Sequence, residues 1–277
     1  MQNQSSPLVL SFGATDPVGA IGIQADLASF AAMGCHGLSV VTAILTGDSA
    51  GIEARQILDP DWVDDQARIL LEDMPVAAFK VGFVGSIENA SVIAEIVSDY
   101  PDIPLILDPF SSGMPDPGEE GEELLYAIRE LLIPQTTLLS ISSVELARFG
   151  ETWRETSDGD TLPHDVLQIT GSGCEYLLVT SIQSGSHDLA NTLFDRSGVV
   201  RSDTWPRLPG PFLGAGATLS GTIAALLANG LEIPEAVFEA QEFTAAALAH
   251  GHRLGMGKLI PDRYFWAREP DENNQPE

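Results

Sequence analysis

The chain has 277 residues, and its 13 Lys plus Arg stand against 40 Asp plus Glu, a formal charge of −27. With 44% hydrophobic and 19% charged residues, it has the composition of a folded chain with a substantial core rather than of a disordered acidic one. So large an acidic excess argues against a nucleic-acid binder or a protein docking on anionic lipid, because both need a positive surface. Only Lys80 and Lys258 are lysines, which suits a surface adapted to a saline habitat, where salt screens self-repulsion.

Residues 1–7 are polar and carry no secretory pattern, and they are expected to form a flexible N-terminus. Residues 8–12 read as a short buried strand, 23–33 as a helix and 38–45 as a second, β-branched strand. Pro60 opens a helix with Asp61, Asp64 and Asp65 near its positive end. Strand-like runs at 77–84 and 104–108 are separated by a helix over 87–98. A helix over 118–132 opens on Glu119, Glu120, Glu122 and Glu123, a cluster expected to be a solvated helix start. Strands follow at 137–141 and 176–180, then a hairpin turning at Asp195-Arg196-Ser197-Gly198, then helices over 217–228 and 234–250.

Cys35 and Cys174 lie in no metal-ligand spacing and are expected to be small buried residues, and no structural metal is expected. His250 and His252 read as surface or capping residues. Residues 8–268 are expected to form a single domain and 269–277 a disordered acidic tail. No apolar run reaches the roughly 18–20 residues of a membrane span, and the chain is expected to be cytoplasmic. Alternation of strand and helix implies an α/β fold, a mainly parallel central sheet with helices on both faces.

In such sheets ligands bind at the carboxyl ends of strands, so the strand-to-helix turns matter most. The first turn, Gly13-Ala14-Thr15-Asp16-Pro17-Val18-Gly19, offers glycines for close backbone approach and Asp16 as an acceptor. It matches neither a dinucleotide fingerprint nor a P-loop, and read alone it is structural as readily as functional. The second, Gly214-Ala215-Gly216-Ala217-Thr218, precedes an apolar helix and points backbone N–H groups at one spot. It can be an anion hole for phosphoryl transfer or simply a tightly packed helix start.

Together these stretches resemble the hydroxymethylpyrimidine/phosphomethylpyrimidine kinases of thiamine biosynthesis, members of the ribokinase-like superfamily. The resemblance extends through Gly22-Ile23-Gln24-Ala25-Asp26, Val41-Thr42-Ala43, Lys80-Val81-Gly82, Leu107-Asp108-Pro109, Leu132-Ile133-Pro134 and Glu145, over roughly residues 8 to 265. It implies a ribokinase-like fold, Mg²⁺-dependent transfer of the γ-phosphoryl group of ATP to hydroxymethylpyrimidine and its monophosphate, and a homodimer. It also implies that Asp108 and Glu145 organise Mg²⁺ and phosphate, and that Gly13, Asp16 and Phe83 surround the pyrimidine.

The same resemblance exposes departures. The family's catalytic Cys, in Gly-x-Gly-Cys-Thr, is Ala217, which cannot accept a proton. The anion hole of Gly214, Ala215 and Gly216 uses only backbone groups and is unaffected. The family's pyrimidine-reading Gln is Gly47, its usual Met is Phe83, and its nucleotide-side Gly-Gly-His stretch becomes Thr180-Ser181-Ile182-Gln183. The expected activity is therefore a pyrimidine kinase, slow for want of its Cys. The alternatives are an inactive relative that binds a pyrimidine or nucleotide, or a kinase for another small alcohol.

Overall fold

The structure is a computed structural model that describes residues 6–110, 119–154, 161–184 and 187–267. Strand β1 (Leu8–Thr15) runs through a tight turn into α1 (Gly22–Ala32) and then β2 (His36–Asp48), which folds back as β3 (Gly51–Ile57). There follow α2 (Pro60–Asp73), β4 (Val76–Val81), α3 (Ile87–Ser98), β5 (Leu105–Leu107), α4 (Glu119–Leu131) and β6 (Leu138–Ser142). Helices α5 (Ser143–Gly150) and α6 (Leu162–Gly171) precede β7 (Tyr176–Ser184) and the hairpin of β8 (Asp188–Asp195) with β9 (Gly198–Pro206). The last helices are α7 (Ala215–Ala228) and α8 (Ile233–Ala249).

The strands form one sheet in the order β3-β2-β1-β4-β5-β6-β7-β8-β9. From β2 through β7 neighbours run parallel, whereas β3 at one edge and the β7–β8 and β8–β9 pairs at the other are antiparallel. The expected α/β class with a mainly parallel sheet is what is found. Its central strands are covered on both faces, which is why they read as nearly unbroken apolar runs.

Two cores cover the two faces. Leu10 and Phe12 of β1, Phe79 and Val81 of β4, and Leu105 and Leu107 of β5 belong to one, with Ile93 of α3 and Phe149 of α5. The alternate residues Val9, Ala78 and Ile106 belong to the other, with Phe30 of α1, Ile223 of α7 and Ala240 of α8. Side chains alternate along a strand with period two. Continuing that second set brings in Ser11, Lys80 and Asp108, polar groups facing α1 and α7 toward the carboxyl ends of their strands.

Three elements go beyond what the sequence pattern predicts. Strand β3 is an edge strand with little apolar alternation, and β2 runs on to Asp48 to pair with it. Helix α5 starts on a capping box, Ser142 Oγ accepting from Glu145 N–H while Glu145 accepts from Ser142 N–H, and α6 carries Pro163 in its first turn. His250 does cap a helix, its Nδ1 lying 2.9 Å from the Ala246 carbonyl at the end of α8. His252 is instead half-buried, with Nε2 3.0 Å from Asp262 Oδ2. Both cysteines are buried and free. Residues 1–5 of the N-terminal segment and the tail 269–277 lie outside the described residues, as do Glu119 and Glu120 as side chains.

Candidate active site

At the carboxyl end of the sheet, strand alternation assembles a buried polar cluster. Ser11 Oγ donates to Asp26 Oδ2 at 2.6 Å, and Asp26 Oδ1 faces Lys80 Nζ at 3.2 Å. Both members of that ion pair are essentially inaccessible, so neither charge would survive there alone. Burial pushes the Asp26 carboxyl up, and the charge of Lys80 offsets only part of that rise. Asp108, just beyond the end of β5, accepts from Ser220 Oγ of α7 at 2.7 Å. Burial, helped by the charges of Glu145 and Asp26, raises the Asp108 pKa to about 6 against the opposing pull of Lys80 and Ser220.

The N-terminus of α7 closes the cluster from above. Gly214 takes φ 96°, and a Cβ there would collide with the Ala20 carbonyl oxygen, so only glycine fits. The first helical bond runs from Thr218 N–H to the Gly214 carbonyl. The N–H groups of residues 215–217 precede that bond at the positive end of the helix.

Strand β7 slips register between Val179 and Ile182, and Ser181 adopts φ 60°, the left-handed region. Its N–H is held by Asn191 Oδ1 at 3.0 Å, and its carbonyl by Ser143 Oγ at 3.2 Å. Gln241 Oε1 in turn accepts from Asn191 and from Trp205 Nε1, each at 2.9 Å.

These parts surround one cavity of about 640 Å³. Lys80 of β4, Asp108 beyond β5 and Glu145 in the first turn of α5 line it, with Gly214, Ala215, Gly216 and Ala217 at the start of α7. Trp205, Leu208, Phe212 and Leu248 form an apolar wall. A glycine-started helix N-terminus, a buried lysine, two carboxylates and apolar side chains around one cavity suit a ligand that joins a phosphate to an apolar ring.

The comparisons with known proteins agree with this chemistry. The family model described as phosphomethylpyrimidine kinase matches residues 16–262. This chain belongs to the phosphomethylpyrimidine kinase family. It is similar to a hydroxymethylpyrimidine/phosphomethylpyrimidine kinase of Streptomyces coelicolor, 31% identical over 94% of this chain and 95% of the relative. The corresponding kinase of Escherichia coli is 27% identical over 93% and 97%. Among solved structures, an ADP complex of Bacillus subtilis pyridoxal kinase superposes with a TM-score of 0.82 at 22% identity, covering 96% of this chain and 100% of that one. A phosphomethylpyrimidine kinase from Clostridium difficile superposes with a TM-score of 0.71 at 26% identity, covering 86% and 98%.

Placed in this phosphomethylpyrimidine kinase fold, the residues singled out in the sequence separate into two groups. Phe83, Asp108, Glu145, Thr180 and Gly214 to Ala217 line the cavity, whereas Gly13, Asp16, Gly47 and Gln183 are not among its lining residues. Asp16 instead closes the β1–α1 turn, accepting from Val18, Ala20 and Ile21 N–H at 2.7–3.0 Å. Gly13 packs against Ile23, and Gly47 sits where a Cβ would collide with the Gly51 carbonyl of β3. Gln183 pairs with Leu189 in the β7–β8 ladder.

Several cavity residues have no role assigned by the sequence pattern. Lys80 carries a signal, as one of two lysines and lying within an apolar strand. Asn191, Trp205 and Gln241 carry none, because their meeting is made by the β8–β9 hairpin folding against α8.

The carboxylates could also hold Mg²⁺. Among the described residues no group of three or more His, Cys, Asp or Glu could hold a metal by protein ligands alone. Magnesium is commonly held by one or two carboxylates together with substrate phosphates, and Asp108 and Glu145 supply two. Their mutual repulsion, which adds to burial in raising the Asp108 pKa, is what a bound cation would relieve.

Proposed function

We propose that this protein transfers the γ-phosphoryl group of ATP to hydroxymethylpyrimidine and to its monophosphate. The observation carrying the reading is the glycine-started N-terminus of α7 facing Lys80, Asp108 and Glu145 across one cavity. The N–H groups of residues 215–217 receive the charge that develops on the transferring phosphoryl group, and Lys80 adds a fixed positive charge from below. The hydroxymethyl oxygen of the pyrimidine, or a phosphate oxygen of its monophosphate, bonds to the γ-phosphorus as the bond to ADP breaks, and the proton of the hydroxymethyl group leaves to water in the first case. Phosphoryl transfer depends mainly on positioning and charge neutralisation, so the step proceeds without a base at Ala217, only more slowly. Asp108 and Glu145 would hold Mg²⁺, which supplies charge neutralisation of the phosphates. Phe83 offers the pyrimidine an aromatic face, and the Thr180–Ser181 bulge borders the nucleotide.

A second reading, a relative that binds without transferring phosphate, is favoured by Ala217 itself. A coupled assay separates the two. Phosphate transfer to hydroxymethylpyrimidine supports the kinase, whereas calorimetric binding of pyrimidine and ADP with no transfer supports the second reading. A thermal-shift screen that includes pyridoxal-type compounds and sugars tests the remaining alternative of another alcohol substrate. The same reading carries a homodimer working in the cytoplasm, and a monomeric mass in solution would contradict the first part. Among the described residues no helix is long and apolar enough to cross a membrane.

A further inference from the structure

One buried charge takes no part in the chemistry described above. Arg263 lies in the segment after α8 and is only 5% exposed. Its guanidinium donates through Nε to Thr218 Oγ1 at 3.0 Å, through Nη1 to the Gly19 carbonyl at 3.2 Å, and through Nη2 to the Ala20 and Gly214 carbonyls at 2.6 and 3.4 Å. All four acceptors belong to two turns. Gly19 and Ala20 are in the turn from β1 into α1, and Gly214 and Thr218 belong to the first turn of α7. Those turns touch closely enough that Gly214 admits no Cβ against the Ala20 carbonyl.

The partners are uncharged oxygens, so this is a buried cation held by a fork of carbonyl and hydroxyl acceptors. Burial lowers its pKa to about 10, which leaves it charged at neutral pH, and Asp26 and Asp16 favour that charge through space. Burying a charge is costly unless it is well hydrogen-bonded, and these bonds all go to the two turns. What lies next to it is the helix start that faces the cavity.

We propose that Arg263 is a positioning residue for phosphoryl transfer. Its planar fork fixes the spacing between the β1–α1 turn and the first turn of α7, and so aims the N–H groups of residues 215–217. The proposal rests on the kinase reading and predicts a particular kinetic pattern. Misplacing the anion hole by a fraction of an ångström affects the transition state more than the bound substrate. An Arg263→Ala enzyme that remains folded loses kcat on the order of 10²-fold, with KM for the pyrimidine changed no more than about threefold. Added ethylguanidinium restores part of that kcat, and Arg263→Lys, which keeps charge but lacks the fork, does not.

A kcat within about twofold of wild type in Arg263→Ala, or full activity in Arg263→Lys, overturns the proposal. If Arg263→Ala does not fold, Thr218→Val carries the test, because it removes the Nε acceptor at nearly constant volume. There a kcat loss of about tenfold is expected, and an unchanged kcat overturns the proposal. If the wild-type protein itself transfers no phosphate, the kinase reading fails and this proposal is overturned with it, whereas wild-type turnover with unaffected variants overturns the proposal alone.

Discussion

At the scale of single residues, the folded pKa of Asp108, about 6, lies above the ordinary 3.8, so the native state binds the proton more tightly than the unfolded chain does. The stabilisation this gives is complete below about pH 4 and is lost as pH rises through 6. Asp108→Asn is therefore expected to be more stable than wild type at pH 7–8, by on the order of 2–3 kcal/mol, with the difference vanishing near pH 4. Denaturant titrations across this range check the sign, and activity should be largely lost throughout.

Ala217 makes a second residue-scale prediction. It lines the cavity, and on the proposed function it stands where the family resemblance puts a Cys, so Ala217→Cys would place a thiol beside the reacting hydroxyl. Turnover is expected to rise by about tenfold or more, within the usual range for a positioned base. Unchanged turnover would mean that the pocket is not arranged for that base.

At the scale of elements, the period-two alternation of β1, β4 and β5 does most of the placing. It turns Ser11, Lys80 and Asp108 toward the same face, where α1 brings Asp26 and α7 brings Ser220. This much is legible in the sequence: the parallel strands and the glycine-started α7 can be read from apolar runs and turn residues. The same holds for the residues at the strand ends and the helix start, Asp108, Glu145 and Gly214 to Ala217, which do come together.

What cannot be read is the use made of residues by tertiary contacts. Asp16 looks like a ligand-facing acceptor, yet three N–H groups of its own turn claim it. Nothing local distinguishes Arg263 from a surface arginine, because its acceptors lie between 45 and 244 positions away in the chain. Strand β3 escapes the pattern because its pairing with β2, rather than its own apolar alternation, makes it a strand. The contact between turns also sets an element-scale test. Gly214→Ala would force a Cβ against the Ala20 carbonyl at a positive φ, and activity should fall far more than for Gly216→Ala, which meets open space.

At the scale of the whole molecule, the charge of −27 sits uneasily with anionic substrates. The structure eases that tension locally, because one of only two lysines lines the cavity and a buried arginine stands behind its helix start. Other cations serve the fold, on the surface where Arg68 meets Asp64 and Asp99 at 2.7 and 3.2 Å, and in a buried pair where Arg154 meets Asp165 at 2.6 Å. Raising salt from about 0.1 to 1 M shortens the screening length from about 10 to 3 Å. Both Tm and ATP affinity should therefore increase with salt, since the field of the whole chain repels a nucleotide. ATP binding that tightens as salt is removed would contradict this.

The most direct measurement is a coupled assay of ADP release with hydroxymethylpyrimidine and its monophosphate, run with Mg²⁺ at low and high salt. Pyrimidine-dependent ADP formation above the no-substrate blank, faster at high salt, is the predicted result. No turnover with either pyrimidine at either salt would contradict the account.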